Sequence, residues 1–177
     1  MSTIKKRNWG IIGILFIAAL LLMPATQAGA ETVKFRLVTY LSKVEWSPVG
    51  DVKGHVVGFY SRRGLAFFEN GEVATFSNRG WFDSTKGKSS YHGYNFYTYE
   101  DGSTTIGKVE GTLTPIEGTK QRSAKGTQKF IKGTGRFEGI KGSGTHTGIQ
   151  VMPYSKEKGI FGDAYFDVTN TYTLPSK

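Results

Sequence analysis

The sequence predicts an all-β protein with about eight to ten strands, arranged as an antiparallel meander that closes into a barrel or packs as a sandwich. Three observations support this fold class. After Glu31, glycine or proline recurs too often for a helical window of about 12 residues with a 3.6-residue period. Short segments rich in β-branched and aromatic residues alternate apolar with polar positions. Short turn-forming sequences separate these segments, which is typical of an antiparallel meander.

The predicted strands follow one another between residues 32 and 174. The first, TVKFRLVTYL, alternates Val33, Phe35 and Leu37 with Lys34 and Arg36, as expected of a strand with one buried face. The other predicted strands cover 55–61, 65–69, 73–82, 91–100, 103–114, 127–131, 142–152 and 159–174. No composition shift suggests a linker, so residues 31–177 are predicted to form a single domain.

Turn signals separate most of these segments. Asn70-Gly71 and Asp101-Gly102 are strong hairpin signals within the predicted turns ENGE at 69–72 and EDGS at 100–103. The tripeptide RRG at 62–64 is predicted to be another turn, which places Arg62 at a hairpin tip, where an arginine could clamp an acidic ligand. The polar segments 83–90 and 116–126 are predicted to be loops.

The segment KGTGRFEGIKGSGTHTG, residues 132–148, has six glycines among its 17 residues. Such a density could serve a phosphate-binding loop, but the spacing fits neither G-x-G-x-x-G nor Gly-Lys-Ser/Thr, and strand-like sequence follows instead of a helix. We therefore interpret these glycines as sites of turning and bending. One short helical turn in GRFEGI would place Phe137 and Ile140 on the core as a plug.

The first 30 residues have the pattern of a cleaved secretory signal peptide. Lys5, Lys6 and Arg7 precede an uncharged stretch at 9–23, and Ala28-Gly29-Ala30 supplies the small residues around a cleavage site. The uncharged stretch is short for a membrane span of about 20 residues. The sequence thus predicts export to the periplasm or the medium, with no stable membrane span after cleavage.

Composition disfavours several classes of function. The net charge is +9, of which Lys5, Lys6 and Arg7 supply three, and the remaining basic residues are scattered. Because nucleic-acid binding requires a concentrated basic face, no nucleic-acid partner is predicted. The chain has no cysteine, which excludes disulfides, thiol catalysis and thiolate metal sites.

The chemistry-bearing residues form no recognisable catalytic or metal-binding motif. His55, His92 and His146 lie on separate predicted strands or turns without a short ligand spacing. No Ser–His–Asp pattern or nucleophile elbow is present. The sequence therefore predicts no metal site and no cofactor.

The C-terminal half resembles a known superfamily. The segment IKGTGRFEGIKGSGTHTG, between the strands TQKFI and FGDAYFDVTNTYTL, is similar to the glycine-flanked turn of the allene oxide cyclase–dirigent superfamily, and the hairpin at 96–114 is similar to the preceding hairpin of bacterial relatives. This resemblance implies a small eight-stranded barrel. It also implies a homodimer or homotrimer, since members often associate through their outer strands.

The resemblance further suggests where a site would lie. Cyclases of the family use a carboxylate near the end of the first strand, beside a polar group and a proline, and LSKVEWSP offers Glu45, Ser47 and Pro48 there. Glu45 is therefore the candidate catalytic acid or base. An eight-stranded barrel can hold one small ligand. The candidate ligand-binding residues are Trp46, Tyr60, Arg62, Trp81, Tyr94 and Tyr97.

Three functions remain open at this point. The first is an exported barrel that binds a small hydrophobic or phenolic molecule in its lumen. The second is a cofactor-independent isomerase or cyclase that folds a lipid-derived or polyene substrate, assisted by Glu45. The third is a cell-envelope interaction module, for which we expect a lumen packed solid with Phe and Tyr.

Overall fold

The computed structural model of the protein describes residues 29–155 and 157–176. The predicted signal peptide, apart from its last two residues, lies outside the described residues.

Eight long antiparallel strands close into one barrel. Around the barrel the order is β1-β10-β7-β6-β5-β4-β3-β2. The strands are β1 (Glu31–Pro48), β2 (His55–Phe68), β3 (Val73–Thr85), β4 (Lys88–Thr98), β5 (Thr104–Pro115), β6 (Arg122–Thr134), β7 (Lys141–Gln150) and β10 (Ala164–Thr173). Two short strands, β8 (Tyr154–Ser155) and β9 (Ile160–Phe161), pair within the connection from β7 to β10. The prediction of an all-β, eight-stranded antiparallel barrel is confirmed.

The predicted turn at RRG is wrong. Strand β2 continues through residues 62–64, and Arg62 pairs with Leu41 of β1 and Asn78 of β3. Gly64 lies where the two backbones approach closely, and a Cβ there would come within 2.9 Å of the Thr39 Cα. Glycine at this position therefore permits close strand contact and does not form a turn. As a result, Arg62 lies in the middle of a strand.

The predicted loop at 83–90 is also wrong, because β3 and β4 continue up to a two-residue turn. Lys86 and Gly87 both have positive φ, 50° and 84°, as a tight hairpin turn requires. Ser84 and Ser89 on the two strands are buried and joined by a hydrogen bond of 2.9 Å. Small polar residues that face inward hid the strand pattern. The prediction misses the start of β6 for the same reason: the strand begins at Arg122, inside the segment 116–126 that is predicted to be a loop.

One end of the barrel, which we call the plugged end, is filled by apolar side chains. A 3₁₀-helix, Gly135–Phe137, crosses this end and buries Phe137 and Ile140, which confirms the predicted plug. They pack in a cluster with Phe35, Leu37, Ala66, Ala74, Phe76, Tyr97, Tyr99, Phe130, Val168 and Tyr172. Among the described residues, no helix is long and apolar enough to cross a membrane.

A β-bulge in β1 decides which side chains enter the opposite end, the open end. The β1–β2 register shifts between Leu41 and Lys43, so Ser42 is an extra residue. Before the bulge, odd-numbered residues such as Leu41 face inward; beyond it, Val44 and Trp46 line the lumen. Because side chains alternate along a strand, one inserted residue exchanges the two faces.

Candidate functional site

The lumen holds a cavity of about 400 Å³ toward the open end. Trp46 lines this cavity and is nevertheless 61% exposed, so the cavity communicates with solvent beside it. Pro153 and Tyr154, in the connection from β7 to β10, lie at the same end. The apolar part of the wall consists of Leu37, Leu41, Val44, Trp46, Val56, Phe76, Phe82, Val109, Leu113, Phe166 and Val168.

A chain of buried amide side chains forms the floor of the cavity. Asn78 donates to Asn95 (2.7 Å), Asn95 donates to Gln128 (2.8 Å), and Gln128 donates to Asn170 (2.6 Å). Gly144 of β7 lies between Gln128 and Asn170, where a side chain would collide with the Asn170 amide. The amides therefore fix the lumen wall through hydrogen bonds between side chains. The Asn78 Oδ1 atom has no partner among the described residues.

Tyr91 and His146 meet above this floor because two glycines separate them. The strand register places Tyr91 (β4), Gly111 (β5), Gly126 (β6) and His146 (β7) in one row. A Cβ at Gly126 would lie 2.6 Å from the His146 ring, and one at Gly111 would collide with the Tyr91 hydroxyl. With no side chains between them, the two rings lie against the wall, and Tyr91 Oη is 2.5 Å from His146 Nε2.

Burial keeps both members of this pair neutral. It lowers the pKa of His146 to about 4 and raises the pKa of Tyr91 above its ordinary value. The Tyr91 hydroxyl donates when the imidazole proton is on Nδ1, and Nε2 donates in the other tautomer. No further hydrogen bond to His146 Nδ1 is formed by the described residues. The pair can therefore hold or relay a proton inside an apolar cavity.

Arg62 enters the lumen from β2 without a carboxylate partner. Its Nη1 donates to Thr39 Oγ1 (2.8 Å) and to the Gly162 carbonyl (3.3 Å). Its guanidinium carbon lies 6.0 Å from the centre of the Phe166 ring. Burial is the main cause that lowers the pKa of Arg62 to about 10; the charge of Arg122 acts in the same direction, whereas Tyr60, Tyr91 and Asp163 act in the opposite one. The group nevertheless remains charged at neutral pH.

Arg122 enters the lumen from β6, on the opposite wall, since β2 and β6 are four strands apart in either direction around the barrel. Both its Nε (2.8 Å) and its Nη2 donate to Gln150 Oε1, and its Nη1 is 3.4 Å from Ser89 Oγ. Burial lowers the pKa of Arg122 from its usual value. Of the described residues that line the cavity, these two arginines carry positive charge and none is an aspartate or glutamate.

The structure divides the residues predicted from the sequence into two groups. Trp46, Tyr60, Arg62 and Tyr97 line the cavity. Burial raises the pKa of Tyr60 to about 12, so its hydroxyl stays protonated. The remaining three, Glu45, Trp81 and Tyr94, lie on the outer face of the barrel.

The three outer residues have surface contacts. The Glu45 side chain is 66% exposed and lies 2.8 Å from the Lys43 ammonium group. Trp81 stacks on His92 with ring centres 5.6 Å apart. Tyr94 is paired across strands with Arg79, and its side chain is exposed.

Sequence reasoning did not select Tyr91, Arg122, His146 or Gln150 for the site. A signal existed for His146, because it shares the inward positions of β7 with Gly142, Gly144 and Gly148. A single large ring among glycines indicates a side chain that uses the space they leave. For Arg122, within a polar segment predicted to be a loop, no comparable signal exists. Among the described residues, no cluster of three His, Asp or Glu side chains could hold a metal ion.

The protein is a closed β-barrel whose lumen is lined mainly by apolar side chains and contains two arginines, Arg62 and Arg122. No protein-family model matches the chain, and no curated protein matches it. Its structure is similar to that of a conserved protein of unknown function from Rhodopseudomonas palustris, with a TM-score of 0.53 and 12% sequence identity. The match covers 82% of this chain and 99% of the other. At this identity the similarity shows the fold alone.

Proposed function

We propose that the protein binds a small hydrophobic or phenolic molecule in the lumen of its barrel. The observation that carries the proposal is the cavity of about 400 Å³, which is lined mainly by apolar and aromatic side chains with a few polar groups. Cavities of this size and composition are typical of small-molecule sites. Tyr60, Tyr91 and His146 supply groups that could orient a phenol by hydrogen bonds.

The cavity favours this function over that of an interaction module with a solid core. Aromatic side chains pack at the plugged end and leave a pocket of about 270 Å³ there, whereas the open end has the cavity of about 400 Å³ next to charged and polar groups. A protein that acted only through its outer face would gain nothing from two partly buried guanidinium groups, whose desolvation is costly. The resemblance to the allene oxide cyclase–dirigent superfamily is in agreement with a ligand-holding barrel.

The test is titration of the protein with N-phenyl-1-naphthylamine, an uncharged fluorescent probe. We expect saturable binding that Trp46→Ala weakens, because Trp46 lines the cavity mouth. Trp81→Ala is the matched control, since Trp81 is also exposed but lies on the outer face. Absence of binding, or equal weakening by both substitutions, would contradict the proposal. If the probe binds as expected, native mass spectrometry of the protein purified from its own source would identify the natural ligand.

A second candidate function, a cofactor-independent isomerase or cyclase, is favoured by the Tyr91–His146 pair. The pair could move a proton within an enclosed substrate. This role would belong to the lumen pair, because Glu45 lies outside the barrel. The test is to generate a short-lived allene oxide of a polyunsaturated fatty acid with the protein present and to measure the enantiomeric excess of the isomeric cyclopentenone product. We expect an excess that His146→Gln abolishes if the protein is a cyclase, and a racemic product if it only binds ligands.

A further inference from the structure

We infer that the lumen ligand is an organic acid whose carboxylate lies between the guanidinium groups of Arg62 and Arg122. This inference rests on the proposed ligand-binding function and specifies the chemical class of the ligand. It depends on three features of the lumen: its unbalanced charge, the placement of the two arginines, and the donor atoms that Arg62 leaves unused.

The charge of the lumen is unbalanced. Arg62 and Arg122 line the cavity, and the described residues contribute no aspartate or glutamate to its wall. No carboxylate among the described residues comes within salt-bridge distance of either guanidinium, whereas Arg36 and Arg136, which lie outside the cavity, both have carboxylate partners. Buried charges in proteins are as a rule paired. A ligand that carries a negative charge would supply the missing partner.

The two arginines approach the cavity from opposite sides. Strands β2 and β6 are diametrically placed in the ring of eight strands. Each side chain is held by its own wall: Arg62 by Thr39 and the Gly162 carbonyl, Arg122 by Gln150 and Ser89. The positive charges are therefore fixed in advance on both sides of the space that a ligand would occupy. Fixing them in advance reduces the ordering cost of binding.

The guanidinium group of Arg62 has hydrogen-bond donors that no described residue uses. A guanidinium has five N–H groups, and Arg62 uses only its Nη1 in hydrogen bonds to described residues. Its Nε and Nη2 form the edge that matches a planar carboxylate. A phosphate monoester would require more donors, and the remainder of the wall is largely apolar. A carboxylate on an apolar or aromatic body fits this combination best.

The experiment compares 2-naphthoate with its uncharged methyl ester on the full mature protein by isothermal titration calorimetry. We expect the acid to bind about ten- to a hundredfold more tightly than the ester, as charge-assisted hydrogen bonds in a buried site require. Arg62→Gln and Arg122→Gln should each remove most of this difference and leave ester binding nearly unchanged. Arg63→Gln is the matched control, because its side chain is the next in sequence and lies on the outer face.

A stability measurement separates ligand recognition from a structural role. If Arg62 serves a ligand, Arg62→Gln weakens binding of 2-naphthoate selectively, and the ligand-free protein loses only the hydrogen bonds to Thr39 and the Gly162 carbonyl. If Arg62 serves only to tie Thr39 to the Gly162 carbonyl, the substitution lowers the denaturation midpoint and weakens binding of 2-naphthoate and of its methyl ester equally, and the inference is overturned.

The outcomes distinguish this inference from the proposed function. If N-phenyl-1-naphthylamine does not bind to the wild type, lumen binding itself is wrong. If that probe binds but 2-naphthoate and its ester bind equally, only the carboxylate inference fails. Tighter binding of 2-naphthyl phosphate than of 2-naphthoate would also overturn it, in favour of a phosphate head group.

Discussion

The environments of His146 and His55 shift their ionisation in opposite directions. His146 is buried beside Tyr91 in the lumen, where desolvation lowers its pKa to about 4. His55 lies between Asp51 (2.7 Å) and Asp83 (3.0 Å) at the protein surface, and hydrogen bonding to Asp51 is the main cause of its raised pKa. The two histidines therefore change protonation state in different ranges of pH.

We predict that an NMR titration of the imidazole ring protons resolves these two histidines. His146 should titrate near pH 4, and His55 should titrate above the ordinary value of about 6.5. A titration of His146 within about half a unit of 6.5 would contradict its burial as a neutral ring. His55→Gln assigns the second resonance without touching the lumen.

The same shifts determine how stability depends on pH. Between about pH 6.5 and pH 4 the unfolded chain binds a proton at residue 146 that the folded protein does not, so this group lowers the free energy of unfolding by roughly 3 kcal/mol over that window as the pH falls. His55 acts in the opposite sense: its stabilising contribution is complete below about pH 6.5 and disappears as the pH rises through its raised folded value.

At the scale of elements, inward-facing glycines in adjacent strands provide the space that the site occupies. Gly111 and Gly126 lie in the row between Tyr91 and His146, so two large rings can lie against the wall. In the same way Gly148 accommodates Phe166, where a Cβ would lie 2.7 Å from the ring. Most of the glycines that punctuate strands β2 to β7 therefore serve packing inside the barrel.

We predict that Gly126→Ala lowers the free energy of unfolding by about 1–3 kcal/mol, because the new methyl group would collide with the Glu110 carbonyl oxygen and lie 2.6 Å from the His146 ring. Gly107→Ala on β5 is the matched control, since a Cβ there meets nothing closer than 3.3 Å. Urea denaturation of the two variants measures the difference. Equal stabilities of the two variants would contradict the close approach of the Glu110 backbone and the His146 ring to Gly126.

At the scale of the whole molecule, the barrel has one end closed by apolar packing and one end with a cavity that is open to solvent. The plugged end has the 3₁₀-helix and the aromatic cluster, whereas the open end has the cavity and its two arginines. A ligand that fills the cavity adds contacts that only the folded chain can make. Binding should therefore stabilise the entire domain.

We predict that N-phenyl-1-naphthylamine at about 100 times its dissociation constant raises the melting temperature by roughly 5–15 °C, which corresponds to about 2.7 kcal/mol for a domain of this size. Differential scanning calorimetry measures the shift, and Trp46→Ala at the same probe concentration should reduce it. A probe that binds without raising the melting temperature would have to occupy a site that is also present in the unfolded chain.

The sequence by itself determined the fold class, most strand positions and the plug. Alternation in 32–41, the Asn70-Gly71 and Asp101-Gly102 turns, and the apolar pair Phe137 and Ile140 are local signals, because each depends on residues close together in the chain. Tyr60 and Tyr97, two of the seven predicted site residues, lie in strands that the sequence predicts and line the cavity.

Only the tertiary structure decided which side chains meet in the lumen. The extra residue at Ser42 turns Trp46 inward and Glu45 outward, and the pairing of β2 with both neighbours moves Arg62 from a predicted hairpin tip to the cavity wall. Arg62 and Arg122 are brought to opposite walls, and Tyr91 to His146, by strand register around a closed ring. Register and closure are long-range properties, and a one-residue shift in either exchanges the inner and outer faces of a strand.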